Sequence, residues 1–124
     1  MTAEAPTLGG VGFVRLIAHL GDYIYEYANI EESLVSGRVH EPAREALTLA
    51  DYRARHACYE SDRDLQQVHR QHGFYIIWDD HEVANNAWLG GAGNHDEATE
   101  GAWQDRLTEA VQAYFEWMPV REPV

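Results

Sequence analysis

A short apolar run in the second half of the chain ends abruptly in four polar side chains. The run is Phe74–Trp78, FYIIW, and Asp79, Asp80, His81 and Glu82 follow it directly. A brief run rich in aromatic and β-branched residues is typical of a strand in a buried sheet. Carboxylates and a histidine are groups that ligate metals or transfer protons. The pattern therefore predicts a strand that ends at a reactive or metal-binding site.

A second strand with the same kind of ending is predicted earlier in the chain. Residues 12–22, GFVRLIAHLGD, are apolar at nearly consecutive positions, as expected for a strand covered on both faces. Ligands of open α/β sheets bind beyond the carboxyl ends of the strands. If the two strands are parallel neighbours about 5 Å apart, Asp22 meets Asp79 and Asp80. Like charges held so close repel, and a cation removes the repulsion. We expect these carboxylates to be metal ligands.

Helical patterns connect and follow the two strands. Thr48 is a plausible N-cap of a helix that begins after it, and Ser61 with Asp64 resembles a capping box for a second helix that ends before Gly73. The last predicted helix has one apolar stripe and is closed by Pro119. The stripe contains Trp103, Leu107, Ala110, Val111, Tyr114 and Met118. This order predicts an α/β fold with parallel strands joined by helices, in which residues 1–11 are a flexible lead-in and residues 12–124 form one domain.

Charge and composition exclude several classes of function. The net charge is −12, which disfavours nucleic acid and anionic membrane surfaces as partners. All nine basic residues are arginine, so lysine-based chemistry is excluded. Cys58 is the single cysteine, and no apolar run of about 20 residues is present. No signal peptide is visible, so we expect a cytoplasmic location for the chain as written. A non-catalytic acidic module that binds a cation or a protein partner is the alternative function.

Each candidate residue also has a purely structural explanation. Asp22 could cap a turn while Tyr25 packs in the core, and the DDHE segment could be a helix N-terminus capped by Asp79. Alternatively, the Tyr25 phenolate suits a ferric ion, and His81 could donate a proton to a leaving group. A zinc-protease helix is rejected because Asn85 stands where that motif requires its second histidine.

Other polar and aromatic residues receive weaker predictions. Asn94 and His95 belong to a literal GNHD sequence, but a glycine-rich loop precedes them, and we expect them at the surface. His19 could face the site from the first strand. Trp78 and Trp88 flank the site and are most simply explained as core residues.

Four segments together resemble the metallophosphatase domain of the PhoD-like phosphatases, the alkaline phosphatase D family. They are HLGDYIYEY at 19–27, ALTLADYRARHACYESDRDLQ at 46–66, WDDHEVANNAW at 78–88 and QAYFEWMPVR at 112–121. The likeness covers residues 16 to 121. It implies a partial metallophosphatase-like α/β sandwich and a phosphoric ester hydrolase that uses ferric iron and calcium.

The resemblance also implies a role for each candidate residue. Asp22 would bridge the metals, Tyr25 would be a phenolate on iron, and Asp80 would hold the second metal, with Asp79 a weaker candidate. His81 would lie near the phosphate and assist the leaving oxygen. Asn85 and Asn86 would help to hold the phosphate.

The chain departs from the family pattern in ways that bear on activity. An earlier strand with an aspartate and a cysteine ligand, and later strands with aspartate and histidine ligands, are not found; Cys58 falls in a helix. The full-length family is exported. We therefore expect an internal fragment with weak metal binding and little hydrolysis, whose open sheet edges favour association into oligomers.

Overall fold

The computed structural model describes residues 16–29 and 38–121 of the chain. Its elements, in chain order, are β1 (Leu16–His19), α1 (Leu49–Glu60), α2 (Arg63–Gln71), β2 (Gly73–Ile76), a 3-10 helix (Asp80–Glu82), α3 (Glu97–Glu100) and α4 (Trp103–Trp117). The predicted lead-in and the first four residues of the predicted first strand lie outside the described residues. None of the helices in these ranges has the length and hydrophobicity needed to span a bilayer.

The two strands form a parallel pair. Leu16 lies opposite Gly73 and His19 lies opposite Ile76. The backbone N–H of Ile77 donates to the carbonyl of His19 at 3.1 Å, so the pairing continues one residue past β2. The connection between the strands passes through α1 and α2, as a parallel pair requires. The predicted α/β fold with parallel strands joined by helices is confirmed.

One face of this sheet is open among the described residues. Exposed and half-buried side chains alternate along both strands; Leu16 is 52% exposed and Tyr75 is 69% exposed. Ile76, on the opposite face, packs against the core. The prediction that the strands are covered on both faces is wrong for this part of the chain, because the described helices contribute to a core on one side only.

Local capping explains where the two connecting helices begin. Thr48 caps α1, since its side chain accepts from the backbone N–H of Asp51, and the Asp51 carboxylate accepts from the backbone N–H of Thr48 at 3.1 Å. The predicted box at Ser61 is wrong. Asp62 caps α2 and accepts from two backbone N–H groups, whereas Ser61 ends α1. The carboxylate of Asp62 can accept both bonds, and it lies one residue closer to the helix. Gly73 follows α2, but its backbone belongs to β2.

The core lies between α1, α4 and the segments that follow each strand. The predicted stripe of α4 is confirmed at Trp103, Ala110, Tyr114 and Met118, which are all buried. Arg106 is also buried on this helix, where it donates to the hydroxyl of Tyr52 and to the carboxylate of Glu45. The buried apolar residues are Tyr23, Ile24, Ala46, Tyr52, Val83, Ala84, Ala92, Trp103, Ala110, Ala113, Tyr114 and Met118.

A buried arginine of α1 organises the irregular segment after β1. Arg55 has 0% exposure, and its guanidinium donates to the main-chain carbonyls of Tyr25, Tyr27, Pro42 and Arg44. These carbonyls belong to stretches without regular structure, which would otherwise leave buried acceptors without donors. The planar guanidinium carries five N–H donors and can satisfy several acceptors at once. Arg55 therefore supplies the hydrogen bonds that backbone N–H groups would supply to these carbonyls in a helix or a sheet.

Candidate metal centre

The turn after β1 brings the backbone of one strand end against the other. Gly21 has φ 103° and Asp22 has φ 56°, so two consecutive residues lie in the left-handed region. Glycine adopts this conformation without strain, and aspartate tolerates it better than most residues. A Cβ at position 21 would lie 2.4 Å from the amide nitrogen of Asp79. The absence of a side chain at Gly21 is thus what permits the close approach of the two strand ends.

A buried glutamate holds the two strand ends together. Glu82 is 1% exposed, and its carboxylate accepts from the backbone N–H groups of Asp22 at 3.1 Å, Asp79 at 2.6 Å and Tyr23. Burial raises the pKa of Glu82, and the three backbone donors oppose that rise. A single side chain therefore satisfies N–H groups on both sides of the candidate site.

Three side chains converge beyond the strand ends. Asp22, Asp80 and His81 each offer one ligand atom, and these atoms all lie within 4.8 Å of one another. The Oδ1 atom of Asp22 is buried and has no hydrogen-bond partner. Asp80 accepts from the backbone N–H of Asn86 through its Oδ2 atom. The arrangement places two carboxylates and an imidazole around one point, with at least one acceptor unused.

Tyr25 and His81 pack against each other at the edge of this cluster. Their ring centroids are 4.5 Å apart, and the Tyr25 hydroxyl donates to Oδ2 of Asp22 at 3.3 Å. Tyr25 is 37% exposed, so it is not the core residue that the structural explanation required. Partial burial, followed by the charge of Asp22, raises the pKa of Tyr25. Burial, the largest single effect, would lower the pKa of His81. The hydrogen bond to Glu26 and the negative charges around the ring together outweigh burial and raise the pKa.

The remaining predicted site residues lie around the cluster and not in it. Asp79 is exposed and occupies the N-cap position of the 3-10 helix, as the structural alternative proposed. Asn86 has φ 53° and bonds Asp80 through its backbone. The Asn85 backbone N–H donates to Glu26 at 2.7 Å, and its carbonyl accepts from Gly93 at 2.7 Å. Both asparagines thus support the site through main-chain hydrogen bonds.

A family model described as PhoD-like phosphatase matches residues 13–124. The chain belongs to the PhoD-like phosphatase family. It is 44% identical to alkaline phosphatase D of Bacillus subtilis (strain 168) over 108 residues, which are 86% of this chain and 18% of that protein. A solved structure, described as the structure of PhoD, matches with a TM-score of 0.71 and 41% identity, covering 86% of this chain and 20% of that one. The chain thus spans about a fifth of the length of these relatives, and the resemblance seen in the motifs is confirmed.

The cluster of this PhoD-like chain fits a metal ion. Carboxylate oxygens and imidazole nitrogen are donors that divalent and trivalent metals accept. The buried Oδ1 atom of Asp22 lacks a partner, and a buried acceptor of this kind is otherwise costly. The pair of Asp22 and Asp80 also concentrates negative charge that a cation would offset. Cys58 lies in α1 and does not belong to the cluster.

The GNHD segment is not the surface loop that the glycines before it suggested. The Asn94 side chain donates to Glu26 at 2.8 Å and to Glu45 at 3.1 Å. The His95 side chain is only 2% exposed and pairs with Glu100 at 3.0 Å. Neither residue is in the metal-ligand cluster. Both side chains point inward because they form hydrogen bonds or ion pairs with carboxylates there, which need such partners when they are away from water.

Two other expectations about the surroundings of the site are wrong. His19 does not join the cluster; its ring packs edge-on against Tyr23 at 5.2 Å. Trp78 and Trp88 are not core residues, since they are 47% and 59% exposed. They line an open cavity of about 480 Å³ next to Asp80.

Sequence reasoning missed Glu26 in this PhoD-like site, and it listed Glu82 only as a possible ligand and not as the acceptor for backbone N–H groups. Glu26 has 0% exposure, and its Oε2 atom lies 2.8 Å from Nδ1 of His81. The two glutamates lie inside the GDYIYEY and WDDHE motifs, and that location is the sequence feature that could have indicated a role for them. Apart from Asp79, which lies three positions from Glu82, their partners are 55 or more residues away in sequence, and spacing alone does not reveal them.

Proposed function

We propose that this chain contributes the metal-binding face of a phosphoric ester hydrolase of the PhoD-like type. The observation that carries the proposal is the convergence of Asp22, Asp80 and His81 within 4.8 Å, next to an unpartnered buried oxygen of Asp22. Two like charges at this separation need a compensating cation in a poorly hydrated site. Family membership supplies the reaction class, and a phosphate ester is the proposed substrate.

Each predicted residue has a role in this proposal. Asp22 and Asp80 hold the metal, and the Tyr25 phenol, hydrogen-bonded to Asp22, becomes a ligand that favours ferric iron, with calcium as the second metal. Asp79 is exposed beside them and serves as an outer carboxylate. A bound metal would supply Lewis acidity for attack at phosphorus. His81 lies in the same cluster: its neutral ring would offer Nε2 to the metal, and its protonated ring would supply the proton that the leaving oxygen requires.

The phosphate is proposed to lie against the turn at Asn85 and Asn86. Hydrogen bonds to Asp80 and Glu26 fix the main chain of this turn. The side-chain amides of the two asparagines are therefore attached to a backbone of defined position. Amide donors directed at the equatorial oxygens would stabilise the charge that develops there. Positioning of this kind supports both binding and reaction.

The proposed affinity for metal is low for the chain by itself. The cluster found among the described residues has three members, and three protein ligands leave an iron or calcium ion largely hydrated. We therefore expect slow hydrolysis of p-nitrophenyl phosphate with iron and calcium added. Association into oligomers through the open edges of the sheet stays a prediction.

Visible spectroscopy with ferric iron tests this proposal. We expect wild-type protein to develop a tyrosinate-to-iron absorption band that Tyr25→Phe loses. Tyr75→Phe is the matched control, because Tyr75 is an exposed tyrosine on the sheet face and should leave the band unchanged. A wild-type protein without the band, or a band that persists in Tyr25→Phe, would favour an acidic module without this chemistry.

A further inference from the structure

A completely buried carboxylate stands behind His81 and has three hydrogen-bond partners. Glu26 is 0% exposed, and its Oε2 atom lies 2.8 Å from Nδ1 of His81. Its Oε1 atom accepts from the backbone N–H of Asn85 at 2.7 Å and from the side-chain amide of Asn94 at 2.8 Å. A buried carboxylate is tolerated when its lone pairs are satisfied in this way.

The identity of these partners determines which nitrogen of His81 carries the proton. A carboxylate can only accept hydrogen bonds, so the neutral imidazole must donate to it from Nδ1. The Nε2 atom then keeps its lone pair. Carboxylate–histidine pairs of this geometry fix the tautomer and the ring orientation of histidines at metal centres.

We propose that Glu26 is a positioning residue that holds His81 as the Nδ1–H tautomer with Nε2 free at the Asp22–Asp80 cluster. Asn94 and the backbone of Asn85 hold Glu26 in turn, since they bond the carboxylate oxygen that His81 does not use. This inference rests on the proposed function, in which His81 acts at the same site. It also gives the GNHD segment a role, because Asn94 acts through Glu26 and not as a metal ligand.

Replacement of Glu26 by glutamine makes a sharp test of this arrangement. The glutamine oxygen would accept hydrogen bonds from the same two donors, the Asn85 backbone N–H and the Asn94 side-chain amide. Its NH₂ group would then face Nδ1 of His81, which would have to accept, and the ring would change to the Nε2–H tautomer. Glu45→Gln is the matched control, because it removes the same negative charge as Glu26→Gln. Glu45 also accepts from Asn94 but has no hydrogen bond to His81 in the described structure.

The tautomer is measured by ¹⁵N NMR of the imidazole ring in metal-free protein at about pH 9, above the ordinary range of histidine pKa values. We expect Nδ1–H in the wild type and in Glu45→Gln, and Nε2–H in Glu26→Gln. Mn²⁺ affinity, followed by electron paramagnetic resonance, should fall about 10- to 100-fold in Glu26→Gln. A wild-type Nε2–H tautomer, or a folded Glu26→Gln variant with the wild-type tautomer and affinity, would overturn the proposal.

Asn94→Ala covers the case in which Glu26→Gln does not fold. This variant removes one of the donors that hold Glu26 but leaves the Glu26–His81 pair intact. We expect it to keep the Nδ1–H tautomer and to bind Mn²⁺ several-fold more weakly, within the range for residues behind a metal ligand; unchanged affinity would contradict the proposal. Because the tautomer is read without metal or substrate, its result is independent of whether the chain hydrolyses phosphate esters.

Discussion

The backbone of Asp79 lies directly against Gly21, so that a Cβ at position 21 would be 2.4 Å from both the Cβ and the amide nitrogen of Asp79. Real Cβ atoms do not approach backbone atoms so closely. The contact lies just beyond the ends of the two parallel strands, directly before Asp22 in the turn that follows β1. The position of the candidate metal ligands therefore depends on a residue that has no side chain.

The first prediction is that Gly21→Ala strongly destabilises the protein. The left-handed φ of 103° and the clash with Asp79 act together, and we expect a loss of about 2–5 kcal/mol in the free energy of unfolding. Gly101→Ala is the control: Gly101 has φ 89°, but a Cβ there would meet nothing within 4 Å. Its loss should be only about 1–2 kcal/mol, from backbone strain. Equal losses in chemical denaturation would show that the contact with Asp79 is unimportant.

The second prediction concerns the carboxylate that bonds both strand ends. Glu82→Gln replaces one acceptor oxygen by an NH₂ group facing backbone donors, and we expect a loss of about 2–4 kcal/mol. Glu109→Gln is a suitable comparison, because Glu109 accepts from a single backbone N–H, that of Leu49, at 2.6 Å. That change should cost about 1 kcal/mol. If urea denaturation gives the two variants the same stability, Glu82 does not have the joining role described above.

The third prediction separates a buried from an exposed arginine on the same helix. Arg55→Lys loses the planar fork that donates to several main-chain carbonyls, and should cost about 3 kcal/mol or more because buried acceptors lose their donors. Arg53→Lys changes an exposed ion pair with Glu116 and should cost less than about 1 kcal/mol. Thermal and chemical unfolding of both variants measure the difference. A smaller loss for Arg55→Lys than for Arg53→Lys would refute the role of Arg55.

The fourth prediction is a loss of stability in acid that originates at His56. Burial lowers the pKa of His56 to about 4 from 6.5, and its ring stacks with that of Trp117. The neutral ring is favoured in the folded state, so its contribution is complete above pH 6.5 and disappears as the pH falls toward 4. At about 1.4 kcal/mol per pKa unit, the loss approaches roughly 3 kcal/mol.

Comparison of wild type with His56→Leu isolates this contribution. The free energy of unfolding of both proteins is measured by urea denaturation between about pH 7 and 4, the interval set by the folded and unfolded pKa values. The wild type should lose more stability than the variant over this interval, because leucine does not titrate. Parallel curves for the two proteins would mean that His56 does not drive the acid response.

Much of the fold follows from local patterns in the sequence. The parallel strand pair could be predicted from two apolar runs separated by helical segments, and the caps of α1 and α4 lie where Thr48 and Pro119 indicate. The meeting of Asp22 and Asp80 follows from that topology, because both residues come after strands that run side by side. These features depend on neighbours in sequence or on the general geometry of parallel sheets.

The parts that could not be predicted depend on partners distant in sequence. Glu26 and Asn94 form a hydrogen bond across 68 positions, and no local pattern distinguishes Glu26 from a solvated acid. The inward position of His95 depends on the buried Arg106, whose guanidinium lies 3.2 Å from Nδ1 of His95 and which the apolar stripe of α4 did not indicate. The exposure of Trp78 depends on which surfaces the described elements cover, and composition alone assigns tryptophan to the core.

The central claim is that Asp22 and Asp80 share one cation, and the stabilisation of the folded protein by Ca²⁺ tests it most directly. A ligand that binds only the folded state raises the unfolding midpoint, and the shift grows with the logarithm of the ligand concentration divided by Kd. We predict that Ca²⁺ raises the midpoint of the wild type and of Asp105→Asn, an exposed aspartate at the start of α4, and that Asp22→Asn and Asp80→Asn each lose this response. If both single variants show the full wild-type shift, the two carboxylates do not hold a common ion.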